Sequence, residues 1–315
     1  MMLARVADSL YWIGRYVERA EHLCRIGEVM LTATLDESEA SDIVAHIAMS
    51  AIEDREPLGE DHTALGAVRS LLFDREDLSS VVNSLARARE NARQVRDQIT
   101  TETWEQLNLL YLRATGPSAE QEFAQETSGY LHGIIADLHL FKGASDATMS
   151  HGEGWRFLLL GVHLERAQRI ARLLDVCFGD EANRPEVTDH LAQMAVLRMA
   201  CALEPYLKVY TAEINPVHVL QFLMFDEDFP RSIRFSTARI QDYLDKLAPR
   251  SASSLGKAAP ERLAGRLNAR LEFADMEETL GAGTILGAVV TECSRIHHAI
   301  YETFIDYPLE QRLPA

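Results

Sequence analysis

Residues 13–29 read IGRYVERAEHLCRIGEV, and residues 160–176 read LGVHLERAQRIARLLDV. The two stretches share the pattern Gly-x3-Glu-Arg-Ala-x4-Arg, and their apolar positions agree in type. The identical positions are Gly14, Glu18, Arg19, Ala20, Arg25 and Val29 in the first copy and Gly161, Glu165, Arg166, Ala167, Arg172 and Val176 in the second. This self-match predicts a duplicated amphipathic helix, and hence a single domain made of two diverged, pseudo-symmetric helical halves near residues 1–145 and 150–315.

Outward from these stretches, the apolar spacing is helical along nearly the whole chain, and sustained strand-like alternation is absent. Breaks rich in Gly and Pro, such as 57–59 and 116–117, divide the chain, and 143–154 is predicted to be a loop. The predicted helices cover 3–34, 38–55, 62–74, 77–99, 101–114, 118–142, 153–178, 187–213, 216–225, 230–247, 260–280 and 284–306. The pattern therefore indicates an all-α, multi-helix bundle.

The first repeat helix is amphipathic, with four polar residues on one face. At 100° per residue, Tyr11, Glu18, His22 and Arg25 lie within roughly 60° of one another, whereas Arg19 lies on an apolar flank. The second repeat helix, 153–178, is apolar in almost every direction, which is typical of a central helix. Its charged residues must therefore find partners, because unpaired buried charges are costly.

Composition excludes several classes of protein. The 315 residues carry 31 basic and 48 acidic side chains, a formal net charge of −17, which disfavours binding to nucleic acid. No segment approaches the length of a membrane span, and the start of the sequence has no apolar leader. We therefore expect a cytoplasmic protein that binds neither nucleic acid nor a membrane.

The sequence contains no motif typical of metal binding, cofactor binding or covalent catalysis. Cys24, Cys177, Cys201 and Cys293 form no CxxC pair, and we expect buried thiols. Glu-x-x-His pairs and phosphate-binding glycine loops are absent, so no metal site, no cofactor and no catalytic residue is predicted.

The Glu-Arg motifs admit two interpretations. In the first, Glu of one repeat pairs with Arg of the other and fixes how the halves dock, and Arg166→Ala should then cost about 3–5 kcal/mol. In the second, the arginines bind a carboxylate or phosphate. The sequence favours the first, and both can hold. The candidate cluster comprises Tyr11, Glu18, Arg19, His22, Arg25, Glu165, Arg166, Arg169 and Arg172.

Two further groups of arginines are secondary candidates. Arg89 and Arg93 lie in a helix with Glu90, which favours a solvated face over an anion-binding patch. Arg231 and Arg234 follow an acidic run, 226–228, and Pro230 is predicted to begin a helix there. Helix capping is the simpler explanation of that acidic run, and a contact with a cation or partner is the alternative.

The blocks MLARVADSLYWIGRYVERAEHLCR (2–25) and FLLLGVHLERAQRIARLLD (157–175) resemble the alpha-E family, which is named for a Glu-Arg helix motif. Supporting blocks are ARENAR (88–93), ETWEQLN (102–108), HGI (132–134) and FPRSIRF (229–235). The resemblance runs to about residue 305. It departs within the motif, because His22 of the first copy is replaced by Arg169 in the second.

The resemblance implies an all-α bacterial protein encoded beside a circularly permuted ATP-grasp ligase and a transglutaminase-like protease. Such neighbours imply the synthesis or modification of peptide-like amides. We therefore expect a non-catalytic binding or partner subunit, with an anionic peptide or metabolite as a further ligand. The alternative is an enzyme with an arginine-lined pocket between the repeat helices, acting on an amide or acidic metabolite.

Overall fold

The computed structural model describes residues 2–34, 39–52, 63–179, 190–211, 213–248, 259–274 and 283–306. Within these ranges it contains fourteen α-helices and no strand, which confirms the predicted all-α class. The helices are α1 (Ala4–Ala33), α2 (Glu39–Ser50), α3 (Ala64–Phe73), α4 (Val81–Gln94), α5 (Thr101–Thr115), α6 (Ala119–Gln125), α7 (Thr127–Thr148), α8 (Glu153–Phe178), α9 (His190–Met199), α10 (Leu203–Tyr210), α11 (Pro216–Phe225), α12 (Ile233–Leu247), α13 (Pro260–Glu272) and α14 (Gly283–Ile300). A π-helical turn, Tyr301–Ile305, follows α14.

The segment predicted as a loop over 143–154 is partly helical. Helix α7 continues to Thr148, and α8 begins at Glu153. Phe141, Ser145 and Met149 are all buried at a spacing of four residues. That periodic burial continues the helix past Gly143 and outweighs the low helix propensity of glycine.

Other predicted boundaries also move. The helix predicted over 118–142 is two helices that meet at Glu126, and the one over 187–213 divides into α9 and α10. Cys201 lies between α9 and α10 with φ of 55°, a left-handed conformation that a continuous right-handed helix cannot contain. Helix α12 begins after Ser232, whose hydroxyl accepts a hydrogen bond from the Phe235 amide, so Pro230 precedes the helix rather than starting it. The outer parts of the helices predicted over 38–55, 187–213 and 260–280 lie outside the described residues.

The two repeat helices cross at the centre of the molecule. α1 and α8 contact each other more extensively than any other described pair, and both are buried over most of their length. Gly14 and Gly161 allow the backbones to touch. A Cβ added to Gly14 would lie 2.0 Å from the Leu158 carbonyl oxygen, and one added to Gly161 would lie 2.0 Å from that of Tyr11. The glycines shared by both repeats therefore set the depth of the crossing.

The remaining helices pack in a similar order around each repeat helix. α1 packs against α3, α4 and α7, and α8 packs against α11, α12 and α14. α4 in turn contacts α5, as α12 contacts α13. This order is what a duplication predicts, and pseudo-symmetry of the two halves stays a prediction. Across the described ranges, none of the helices combines the length and the apolar character needed to cross a bilayer.

Candidate functional site

The Glu-Arg motifs of the two repeats bind one another. Arg166 donates from Nε and Nη2 to the two carboxylate oxygens of Glu18, at 2.8 and 2.9 Å. In the reciprocal contact, Arg19 donates from Nε and Nη2 to Glu165, at 2.8 and 3.2 Å. Each repeat therefore supplies the carboxylate that binds the guanidinium of the other. This is the arrangement that the first interpretation of the Glu-Arg motifs predicts. Both carboxylate side chains are 1% exposed.

Glu165 holds three guanidinium groups. Besides Arg19, it accepts hydrogen bonds from Arg15 and from Arg169, which lies one helical turn further along α8. Burial raises the pKa of the Glu165 carboxyl, but the charges of Arg15, Arg19 and Arg169 lower it by more, so the pKa lies well below its ordinary value. The carboxylate is therefore ionised at neutral pH and is the common acceptor for this part of the cluster.

Glu18 shares its cations with Glu21, the next acidic residue of α1. Lys142 of α7 and Arg231 from the loop before α12 each contact both carboxylates. Burial raises the pKa of both carboxyls, yet the neighbouring cations hold each pKa well below its ordinary value. The surroundings of the two motif glutamates thus differ, because the second repeat has Gln168 where the first has Glu21.

The other members of the predicted cluster have separate roles. Arg25 donates to Glu21 at 3.0 Å and lies 3.1 Å from the ring nitrogen Nε2 of His139. Its counterpart in the repeat, Arg172, is half-buried and interacts electrostatically with Asp175. Arg25 and Arg172, the last arginines of the two motif copies, therefore lie at different places in the structure.

Tyr11 extends the cluster toward α14. Its hydroxyl accepts a hydrogen bond from Arg15 at 3.0 Å and lies 2.8 Å from Nδ1 of His297. Burial raises the pKa of the Tyr11 phenol, and burial lowers the pKa of His297 to about 4. The neutral His297 ring therefore shares a hydrogen bond with the Tyr11 hydroxyl, and α14 contributes to the central network.

Sequence reasoning missed four members of the network: Arg15, Glu21, His139 and Lys142. Arg15 and Glu21 lie inside the repeat stretch but are not shared by both copies, so the self-match did not select them. His139 and Lys142 lie on α7, which the repeat does not cover. The amphipathic angle of α1 contained some signal, because Glu21 and Arg25 are four residues apart on one face.

The secondary candidates Arg93 and Arg89 have different surroundings. Arg93 forms an exposed ion pair with Glu90, as expected of a solvated face. Arg89 is half-buried instead, donating to Asn108 at 2.7 Å with its guanidinium 4.7 Å from the ring centre of Tyr111. That position contradicts the predicted solvated face for this residue.

The arginines after the acidic run also differ from each other. Arg231 is 8% exposed and joins the Glu18–Glu21 side of the cluster, whereas Arg234 pairs with the exposed Glu227 at 3.1 Å. Asp226 accepts hydrogen bonds from the amides of Asp228 and Phe229, so its carboxylate stabilises the loop that precedes α12. The N-cap of α12 is Ser232 and not a residue of the acidic run, and long-range packing places Arg231 in the central cluster.

Thiol chemistry has no suitable setting among the described residues. Cys24, Cys177 and Cys293 are fully buried, and Cys201 is half-buried. Burial raises the pKa of the Cys293 thiol to about 12 and raises the pKa values of Cys24 and Cys177 as well. In the described part of the chain, no three metal-binding side chains cluster together.

His22 gives the cluster a measurable pH dependence. Burial first, and then the charges of Arg169 and Arg231, lower its pKa from 6.5 to about 3. As the pH falls below 6.5, the unfolded chain takes up a proton at His22 and the folded chain does not, so the free energy of unfolding falls. We expect His22→Gln to reduce this slope by about 1 kcal/mol per pH unit on average between pH 6.5 and 5, measured by urea unfolding.

The matched control is His132→Gln, because the His132 side chain is 79% exposed. It should leave the pH slope unchanged. Equal slopes in the parent chain and in His22→Gln would show that the folded state protonates His22 as readily as the unfolded state does.

The family Alpha-E, described as a predicted alpha-helical domain with a conserved ER motif, matches residues 2–305. Two uncharacterised proteins, one from Mycobacterium bovis and one from Mycobacterium tuberculosis, are each 26% identical to the chain over 304 residues. These matches cover 87% of this chain and 33% of each relative, so the chain spans about a third of their length.

No solved structure matches the chain. The family match covers nearly all of the chain, and the chain carries a Glu-Arg step in each of the two repeat helices, joined to each other across α1 and α8. On this evidence the chain belongs to the Alpha-E family of helical domains.

Proposed function

We propose that this chain is a non-catalytic binding or partner subunit of an ATP-grasp-linked system that makes or modifies peptide-like amides. One observation carries the proposal: the Glu-Arg step of each repeat helix is occupied by ion pairs that join α1 to α8. Glu18 and Glu165 are 1% exposed and each contacts at least three cations. A carboxylate held in that way is a poor general base, because its pKa is low and substrate cannot reach it.

The family membership supports the remaining parts of the proposal. The alpha-E resemblance implies genomic neighbours of the ATP-grasp and transglutaminase-like classes, and these are the proposed partners. The relatives extend well beyond the matched region, which leaves room in those chains for further domains. A rigid helical bundle that holds a ligase in a productive state, or presents an anionic peptide to it, fits these observations. We place this role in the cytoplasm, where ATP is available.

Co-purification with the ATP-grasp protein that the alpha-E resemblance implies as a genomic neighbour tests the proposal. Both proteins are produced together, one carrying an affinity tag, and purified without nucleotide, with ADP and with a non-hydrolysable ATP analogue. A stable complex in at least one condition is expected. Failure to form a complex in all three conditions would contradict the partner role.

The enzyme alternative depends on the edge of the cluster near Tyr11. A half-buried histidine, His297, contacts the Tyr11 phenol beside Arg15, which is the kind of titratable group that such an enzyme requires. Incubating the chain alone with acidic peptides and amides, followed by mass spectrometry of the products, tests this alternative. Turnover that is lost in His297→Gln while the chain stays folded would favour the enzyme over the partner subunit.

A further inference from the structure

The Glu18–Glu21 side of the cluster contains more positive than negative charge. Four cationic side chains surround the two carboxylates: Arg25, Lys142, Arg166 and Arg231. The distances that define the pairs include 3.0 Å from Arg25 Nε to Glu21 and 3.2 Å from Arg231 Nη1 to Glu18. Among the described residues, the network therefore has two more cations than carboxylates, in a chain whose formal net charge is −17.

An excess of charge of one sign raises the free energy of a buried network. Ions taken out of water regain their solvation only through charge pairing and hydrogen bonds, and like charges in a low-dielectric region repel. A local excess of positive charge attracts anions, even in a protein whose net charge is negative. A bound oxyanion would supply the missing negative charge.

The cluster is open to solvent at one edge. The Lys142 side chain is 23% exposed and that of His139 is 53% exposed, whereas those of Arg25, Arg166 and Arg231 are about 10% exposed. The Lys142 ammonium donates to Glu18 and Glu21, which leaves one of its three protons for a further acceptor. A ligand can therefore reach the positive network at Lys142 without disturbing the crossing of α1 and α8.

A second, independent observation indicates an incomplete polar centre. His22 is 2% exposed, and its Nε2 has no hydrogen-bond partner among the described residues. The charges of Arg169 and Arg231, and those of Glu18 and Glu165, act on this ring, so it lies between the two sides of the cluster. Buried polar atoms nearly always have a partner, so a water molecule or a ligand atom is expected beside His22.

We propose that this edge, defined by Arg25, His139, Lys142 and Arg231, binds an oxyanion group of a small soluble ligand. Phosphate and carboxylate share the required chemistry, since both accept charge-assisted hydrogen bonds from guanidinium and ammonium groups. The proposal deepens the binding role of the proposed function and rests on it. The chain needs no catalytic group for this activity.

Thermal unfolding of the isolated chain tests the proposal. Sodium phosphate and sodium glutarate are titrated separately, each against sodium chloride of equal ionic strength. We expect at least one of the two anions to raise the Tm in a saturable manner, by roughly 4 °C at about 100 times the Kd. The anion that acts identifies the ligand as a phosphate or a carboxylate compound.

Three variants localise the effect. Lys142→Gln should weaken the apparent affinity about tenfold, because one charge-assisted hydrogen bond is lost, and Lys142→Arg should retain it. Lys246→Gln is the matched control, since Lys246 pairs with Asp242 on the surface of α12. A rise in Tm that is equal in chloride, or equal in Lys142→Gln and the parent, would overturn the proposal.

The partner experiment distinguishes the two proposals. Lys142→Gln leaves Arg166 and Arg231 on Glu18, so the fold and any protein interface should persist. The variant should therefore still co-purify with the ATP-grasp protein. Loss of the anion effect without loss of the complex separates ligand binding from partner binding.

Discussion

Replacing Gly161 with alanine is expected to lower the free energy of unfolding by about 3 kcal/mol or to prevent folding, because the crossing of α1 and α8 has no room for a methyl group. The added Cβ would lie 2.0 Å from the Tyr11 carbonyl oxygen and 3.0 Å from the Arg15 amide nitrogen. These are backbone atoms of a buried helix, so no side chain can rotate out of the way. The higher helix propensity of alanine, worth about 1 kcal/mol, cannot compensate. Urea unfolding followed by circular dichroism measures the loss.

Gly143→Ala is the matched control for this prediction. Gly143 also lies within a helix, α7, but a Cβ there would meet no atom within 4 Å. Alanine at this position should stabilise the chain by roughly 0.5–1 kcal/mol through helix propensity alone. If Gly161→Ala behaved like Gly143→Ala, the close approach of the two backbones would be wrong.

The second large effect is expected for Glu165→Gln. This change keeps the shape of the side chain but removes the carboxylate shared by Arg15, Arg19 and Arg169. Three buried or nearly buried guanidinium groups would then lack their common counter-charge, and breaking a buried pair typically costs about 3–5 kcal/mol. Thermal and urea unfolding of the purified variant measure this cost.

Arg166→Ala should have a smaller effect than Glu165→Gln. The sequence alone predicts about 3–5 kcal/mol for this arginine, but the structure shows that Glu18 also contacts Lys142 and Arg231. The carboxylate therefore remains paired when Arg166 is lost, and we expect about 2–3 kcal/mol. The control Arg93→Ala removes an exposed pair and should change stability by less than about 0.5 kcal/mol. A larger loss for Arg166→Ala than for Glu165→Gln would contradict the assigned pairing.

The comparison of these two variants also bears on the role of the motif. A buried ion pair is often no more stabilising than an apolar pair of the same size, but removing one partner is costly because the other charge stays buried. We therefore expect the Glu-Arg steps to act mainly by specifying how α1 and α8 cross. Their rigid packing also positions the positive edge at Lys142, which the oxyanion proposal uses.

The limits of sequence reasoning are visible in particular residues. Arg231 and Glu21 are neighbours in space but 210 positions apart in the chain, and no local pattern relates them. Lys142 is the last residue of the helix predicted over 118–142, which in the structure continues to Thr148, and its contact with Glu18 joins residues 124 positions apart, so no local pattern predicts it. Arg89 shows the opposite error, because a charged residue in a helical pattern resembles a solvated one until a neighbouring helix covers it.

The sequence by itself determined the helical class, the duplicated Glu-Arg step and the central position of the second repeat helix. These features depend on periodicity and on a self-match, which are properties of residues near one another in the chain. Only the tertiary structure decided which cations share each carboxylate, where Arg231 and Lys142 lie, and where the excess positive charge reaches solvent. Such pairings depend on how distant helices pack, and the energy of a charge depends on its neighbours and its burial rather than on its position in the sequence.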